Sequence, residues 1–512
     1  MTTLTSVSPR PARPARATTT ASSMSLVLAF MVTAALACGV LVALDMDEVE
    51  TAFTLGCIAA TVALGWMFAL EYRRTRNALS PLCMVAFLLF LLYPFHGWMT
   101  RDAPSLVLLI GSDGEVWRTK ALLVVTLSVP FLSLGYNSQL VERFAGALRG
   151  PKLIIVDDDN TTRTKLIMLY VAGYLARVAS VVSGQAFHHS IGEREGIEFQ
   201  FILTVLVNIP VFVSAWFIVV GLRRRQRVSI GLALVMLTGE VAWGLLTGSR
   251  MRMLAPVFAA LAATSYLGKP VSLRRLVIAA VVFVTVVFPF VTAYREAYNN
   301  HLGDVQRDGL DASTVVDSVT AAASSDDDVD LLDDENPLES IAERLHGLTS
   351  LGLVLRYTPE RHDYLYGVPY LLIVPQVLVP RAIWPDKPPP AQFADIFRMQ
   401  YWGLEPDSET AVACSQLGDL WANLHLFGIV AGSWFYAAFI AFMFRGLRYG
   451  VTNASMFPLV VFSVQLMELL HAFEGPLDGT MAGFIKTILV YVLVAWFLSS
   501  RRRVEPLGSA IA

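Results

Sequence analysis

The sequence predicts an all-α, polytopic integral membrane protein with about twelve transmembrane helices and one large outer loop, residues 294–424, containing amphipathic and re-entrant helices. Three observations carry this expectation. Of 512 residues, 55% are hydrophobic and only 16% are charged, with a mean hydropathy of +0.56, which leaves too little polar surface for a soluble globule. Apolar runs of about twenty residues, enough to cross a hydrocarbon core of about 30 Å, recur along the chain. The connections between them alternate between basic and cation-poor, as expected when Lys and Arg are retained on the cytoplasmic side.

Taken in order, residues 1–23, with Arg10, Arg13 and Arg16 among many Pro, Thr and Ser, read as a disordered basic cytoplasmic tail. The run 24–44 is long enough to be a retained first span rather than a cleaved signal. Further spans are expected near 51–70, 79–98, 121–137, 165–183, 199–221, 228–247, 251–267 and 275–293, which makes residues 24–293 a bundle of nine. Three more, near 425–444, 455–471 and 481–499, precede a cytoplasmic tail at 500–512. Arg73, Arg74 and Arg76, then Arg143 to Arg163, Arg223 to Arg227, Lys269 to Arg275, Arg445 and Arg448, and Arg501 to Arg503 fall in alternate connections and so all on one side, the cytoplasmic one, where both termini are expected as well.

That topology puts residues 294–424 outside. The Asp-rich part at 303–338 reads as a solvated segment. Residues 339–357 carry Ile341, Leu345, Leu348, Leu351 and Leu355 at helical spacing, the pattern of an amphipathic helix lying in the interface. Residues 364–380, broken by Pro369, Pro375 and Pro380, read as re-entrant or interfacial. The stretch from Pro380 to Pro390 is too rich in proline to be helix, so it presents Arg381, Trp384, Asp386 and Lys387 on a stiff loop. Its functional reading is an anion site; its plain reading is a membrane-surface anchor.

Several classes are excluded. A net charge of −3 argues for no nucleic-acid partner. The four cysteines show no CxxC spacing, and no Walker A or dinucleotide fingerprint is present, so no metal and no cofactor are expected. Asp326 to Asp328 and the pair His188-His189 read as solvated loop.

The ionisable residues within spans point the other way. Arg177, Glu240, Glu468 and Lys486 each fall in the expected outer half of a helix, where charge in hydrocarbon costs about 2.5–3.5 kcal/mol at mid-helix unless it faces water or a partner. An Arg177–Glu240 ion pair is the plain alternative to a polar chamber open to the outside. Arg250 and Arg252 stand at an outer turn, with Arg295, Arg381 and Lys387 on the same side. These cations violate the positive-inside tendency, and a lipid-linked pyrophosphate bound at the outer leaflet would account for that. Asp419, one turn before Asn423, could accept a proton from a sugar hydroxyl; its plain reading is a helix N-terminal acid interacting with the macrodipole.

The Gly248-Ser249-Arg250 turn, the Pro380-Arg381…Trp384-Pro385-Asp386-Lys387-Pro388 loop and the Gly418-Asp419-Leu420…Asn423-Leu424…Phe427-Gly428 block resemble bacterial O-antigen, or oligosaccharide repeat-unit, polymerases of the Wzy type. The resemblance touches residues 240–430 and departs from the family at Asp419, where Glu is common, and at His425. It implies a glycosyltransferase of the bacterial cytoplasmic membrane that joins polyprenyl-pyrophosphate-linked repeats without a nucleotide sugar or an obligatory metal. Flippase and chain-length regulator proteins would be its partners. Catalytic roles would fall to Asp419, Arg381 and Arg250. Substrate contacts would come from Arg252, Arg295, Lys387, Asp386, Trp384, Asn423, Arg177 and Glu240. A glycan ligase and a transporter or flippase are the rival readings.

Overall fold

The computed structural model describes residues 19–101, 113–147, 159–182, 206–246, 250–267, 270–282, 345–379, 392–405, 412–450, 455–471 and 473–499, with 110, 155, 285, 290 and 383–384 as isolated positions. All regular structure among them is helical. In chain order the helices are α1 (Thr19–Asp45), α2 (Val49–Thr75), α3 (Pro81–Met99), α4 (Gly114–Tyr136), α5 (Gln139–Ala147), α6 (Asn160–Val182), α7 (Ile209–Arg224), α8 (Arg227–Leu246) and α9 (Arg250–Tyr266). They continue as α10 (Leu273–Val282), α11 (Gly347–Tyr357), α12 (Val368–Leu378), α13 (Gln392–Ile396), α14 (Gln416–Phe427), α15 (Ser433–Gly450), α16 (Phe457–His471) and α17 (Leu477–Leu498).

Six stretches among the described residues are long and apolar enough to cross a membrane: Val49–Thr75, Pro81–Met99, Gly114–Gly146, Arg227–Gly244, Gln416–Leu447 and Leu477–Leu498. Shorter apolar helices run over Met31–Asp45, Ala255–Tyr266 and Phe457–Met467. The exposed residues of these helices are largely apolar, for example Leu234, Val235, Leu493 and Trp496. That is how a chain looks when lipid rather than water covers its outside.

The helix ends sort into two sets. At one end, Arg74 hydrogen-bonds Asn137 at 2.7 Å and Arg445 donates to the Tyr136 carbonyl at 2.8 Å, so α2, α4 and α15 finish together around basic residues. Glu71, buried there, accepts from Ser80 at 2.5 Å and pairs with Arg74 at 2.7 Å. At the other end Arg101 pairs with Glu50, and Arg118, buried over the Phe53 ring at 5.0 Å, donates to Thr100 Oγ1 at 2.8 Å. A side chain at Gly135 would run into the Trp434 carbonyl, so glycine is what lets α4 and α15 cross closely.

Residues 347–355 do not lie on the surface as their leucine spacing predicts. Every residue from Gly347 to Leu355 in α11 is buried, and Leu348, Leu351 and Leu355 join the same core as α2, α3 and α4. Gly347 and Gly352 flank the leucines on the helix, while Thr349, Ser350 and the buried Leu353 form the opposite face. Small residues let helices approach closely inside a membrane bundle, and so the two glycines are packing positions. Gly347 accordingly meets the Leu92 carbonyl, and Gly352 meets Ile110 and the backbone of α4.

α12 behaves differently. Its 11 residues span about 16 Å at 1.5 Å per residue, roughly half a hydrocarbon core. Val368 and Leu371 are exposed while Ile373 is buried, and the helix packs against α17. Pro369 starts it and Pro375 lies inside it.

Candidate functional site

α14 begins after a non-helical segment, residues 412–415. Ser415, at φ +62°, caps the helix by accepting from the Gly418 N–H. Its own N–H and that of Gln416 donate to the Glu474 and Phe473 carbonyls, both at 3.1 Å, pinning the helix start to the turn before α17. The Ser415 hydroxyl also meets the Tyr93 hydroxyl at 2.6 Å. Tyr93 sits in a π-helical turn, Leu91–Phe95, in the middle of α3. Pro94 inside that turn lacks an N–H and cannot keep the α-helical ladder, which is why the helix widens there.

Asp419 lies one turn further in and is completely buried. Its Oδ1 accepts from Asn423 Nδ2 at 2.7 Å, and its Oδ2 accepts from the backbone N–H of Leu477 at 2.7 Å. Leu477 opens α17, so the carboxylate sits against the positive end of that helix. Asp478, also buried, places a second carboxylate in its electrostatic field. The Tyr370 hydroxyl of α12 lies beside the same carboxylate without reaching hydrogen-bond geometry. Burial, and then the Asp419 charge, push the Tyr370 hydroxyl well above its ordinary pKa, so it stays protonated. Burial likewise raises Cys414, with the charges of Asp419 and Asp478 adding to it. Asn423 Oδ1 and Gln416 Nε2 are buried without hydrogen-bond partners. The cluster therefore offers carboxylate oxygens, an orphan acceptor on Asn423 and orphan donors on Gln416 and Tyr370, a set that suits a hydroxyl group, which both donates and accepts.

Arg177 and Glu240 come together as a separate unit. Both are buried, with Arg177 Nη1 and Nη2 on Glu240 Oε1 and Oε2 at 2.9 and 2.8 Å and Nε on the Val207 carbonyl at 3.0 Å. Tyr174 and Trp243 cover the guanidinium at 4.8 and 5.2 Å. A fork so fully engaged is a structural ion pair between α6 and α8, the plain alternative named above.

The other expected residues are less closely placed. Arg250 and Arg252 lie in the first turn of α9, with side chains outside the description. Trp384 is half-buried at an isolated position, and Lys486 is half-buried on α17. Arg295, Arg381, Asp386 and Lys387, together with Asp326 to Asp328 and His188-His189, lie outside the described residues, as does the Glu468 side chain. Tyr93, Ser415, Tyr370 and Asp478 are members of the site that sequence reasoning missed. Of these only Asp478 carried a signal, being an acid beside Pro476 just before the last apolar run.

Beyond Asn423 the helix breaks. Leu424 (φ −138°, ψ 18°) and His425 (φ 54°, ψ −142°) are not helical, and a π-helical turn, Gly428–Gly432, follows before α15. A side chain at Gly428 would strike the Leu420 carbonyl. His425 occupies a backbone region normally reserved for glycine, a strain of about 1–3 kcal/mol. Its ring lies 4.2 Å from that of Trp421 and 5.5 Å from that of Tyr364.

The described residues, all-helical in their regular structure, and their long apolar helices define a membrane-embedded protein. Compared with protein-family models, curated proteins and solved structures, the chain finds no match.

Proposed function

We propose that this chain is an integral-membrane glycosyltransferase that polymerises polyprenyl-pyrophosphate-linked oligosaccharide repeats on the outer face of a bacterial cytoplasmic membrane, in O-antigen, exopolysaccharide or capsule synthesis. The observation that carries the reading is the buried Asp419 cluster, at the end of the bundle away from Arg74 and Arg445 and assembled from α3, α12, α14 and α17. The resemblance in the Gly418 to Gly428 block supports it.

In this reading an acceptor sugar hydroxyl takes the position beside the carboxylate that the Tyr370 hydroxyl now holds. Asn423 and the Leu477 N–H keep the carboxylate oriented, so each of its oxygens still has a lone pair to receive the proton. The acceptor oxygen then bonds to the anomeric carbon as the bond from that carbon to the pyrophosphate oxygen breaks. Arg250, Arg252, Arg295, Arg381 and Lys387 stabilise the charge left on the pyrophosphate. α12 is the readiest element to move aside, being half-length and exposed along Val368 and Leu371.

The reading carries the full topology with it: twelve spans, both termini cytoplasmic and residues 294–424 outside. The six long apolar helices and the gathering of Arg74 and Arg445 at one end support it. Deleting the gene tests it, since loss of a polymerase leaves lipid-linked single repeats to accumulate.

A further inference from the structure

The site contains a second surface that acid–base chemistry does not use. Tyr364, Tyr366, Trp421 and His425 form a continuous, stepped aromatic shelf, with ring centres 6.3 Å apart and planes at 66° for Tyr364–Tyr366, 5.5 Å and 78° for Tyr364–His425, and 4.2 Å and 52° for Trp421–His425. The Leu365 N–H donates to the Ala422 carbonyl at 3.0 Å, which fixes the strand of the two tyrosines across the end of α14. Tyr366 (φ +50°) and His425 (φ +54°) both hold left-handed backbones that their side chains disfavour. Yet Tyr366 is 74% exposed and His425 is also exposed, so burial of the rings does not offset that strain. Trp421 adds an indole N–H that is buried with no acceptor, a group that costs stability until something accepts from it.

We propose that this shelf is a carbohydrate-binding subsite, which holds sugar rings of the oligosaccharide one or more residues away from the reacting hydroxyl. The inference rests on the glycosyltransferase reading for the source of that oligosaccharide. Sugar C–H groups carry partial positive charge and lie flat on the negative faces of aromatic rings, while ring and hydroxyl oxygens supply the acceptor that Trp421 lacks. On α14, Trp421 follows Asp419 by two residues, about 200° round the helix, so about 10 Å, the width of the helix, separates the acid from the shelf. That spacing suits a neighbouring sugar rather than the reacting one. An interfacial aromatic belt needs no strained backbones. Asp363, exposed at the shelf's edge, adds an acceptor for sugar hydroxyls.

The full chain in lipid nanodiscs is titrated with two probes, followed by saturation-transfer NMR. One probe is the free oligosaccharide released by mild acid from lipid-linked single repeats, and the other is sugarless polyprenyl pyrophosphate. Tyr364→Ala and Tyr366→Ala are expected to weaken the oligosaccharide about tenfold or more, a hot-spot effect, and to leave the sugarless lipid unchanged. Trp421→Phe, which keeps a ring and loses the N–H, is expected to weaken it several-fold. Oligosaccharide affinity within about twofold of the parent in both tyrosine variants, equal loss for both probes, or no saturation transfer to the oligosaccharide from the parent chain overturns the proposal. Failure of the polymerase reading has a different signature, in which the shelf binds oligosaccharide but the chain does not extend lipid-linked repeats.

Discussion

The Asp419 carboxylate closes on the backbone N–H of Leu477 at 2.7 Å, joining α14 to the first residue of α17 across 58 positions of sequence. One oxygen of the acid thus pins two helices together while the other is held by Asn423. The same residue is therefore expected to matter for assembly and for chemistry, and variants must separate the two.

Asp419→Asn keeps the shape but has one side-chain acceptor oxygen for two donors, so either the Leu477 N–H loses its partner or Asn423 Nδ2 keeps only the Asp419 backbone carbonyl, at 3.0 Å. A stability loss of about 1–3 kcal/mol is expected, read as a lowered melting temperature in detergent. Chain growth per folded molecule should fall about 10²–10⁴-fold, the usual value of general-base assistance. Asp419→Glu should retain partial activity. Near-normal chain lengths from Asp419→Asn would leave Asp419 a helix clasp only.

Arg177 and Glu240 are expected to matter for stability rather than turnover. Removing either alone strands a buried charge and should cost about 3–5 kcal/mol, while replacing both with apolar residues of similar volume should cost far less. Thermal unfolding of Arg177→Met, Glu240→Leu and the double variant measures this. Additive losses in the double variant would contradict the pairing.

Arg381→Ala should abolish polymer at normal protein levels in the membrane, and Arg381→Lys should restore little, because a point charge does not replace a bidentate fork. Immunoblots of membranes and glycan gels from the same cells check both halves. Full polymer from Arg381→Ala would make the proline-rich loop an anchor.

The orientation can be read by labelling intact cells with an impermeant thiol reagent. Asp326→Cys should react and Arg224→Cys should not, following the alternation of basic connections. The reverse pattern would invert the topology.

Much of the fold was legible because apolar runs announce themselves, and because Arg177 and Glu240 were charges too costly to stand in hydrocarbon alone. The site was half legible. Asp419 and Asn423 show as a polar pair one turn apart, but the partner that matters most is a backbone N–H, which every residue except proline has. Tyr93 and Tyr370 carry no charge to mark them among apolar neighbours. α11 misled for a definable reason: Thr349 and Ser350 look solvated by polarity, yet their hydroxyls meet His96 and the Ala413 carbonyl inside the protein, while Gly347 and Gly352 let the helix close on α3 and α4. The break at Leu424–His425 falls where the last three spans were expected to begin, but the helix itself starts at Gln416 because Ser415 caps it there.

The most direct measurement is reconstitution of the purified chain in liposomes with lipid-linked single repeats, followed by electrophoresis of the released glycans. A ladder of multiple repeats that requires the chain, and that disappears with Asp419→Asn, is the expected result. Single repeats that stay single in the presence of folded protein, or that pass intact to the opposite leaflet, would contradict the account.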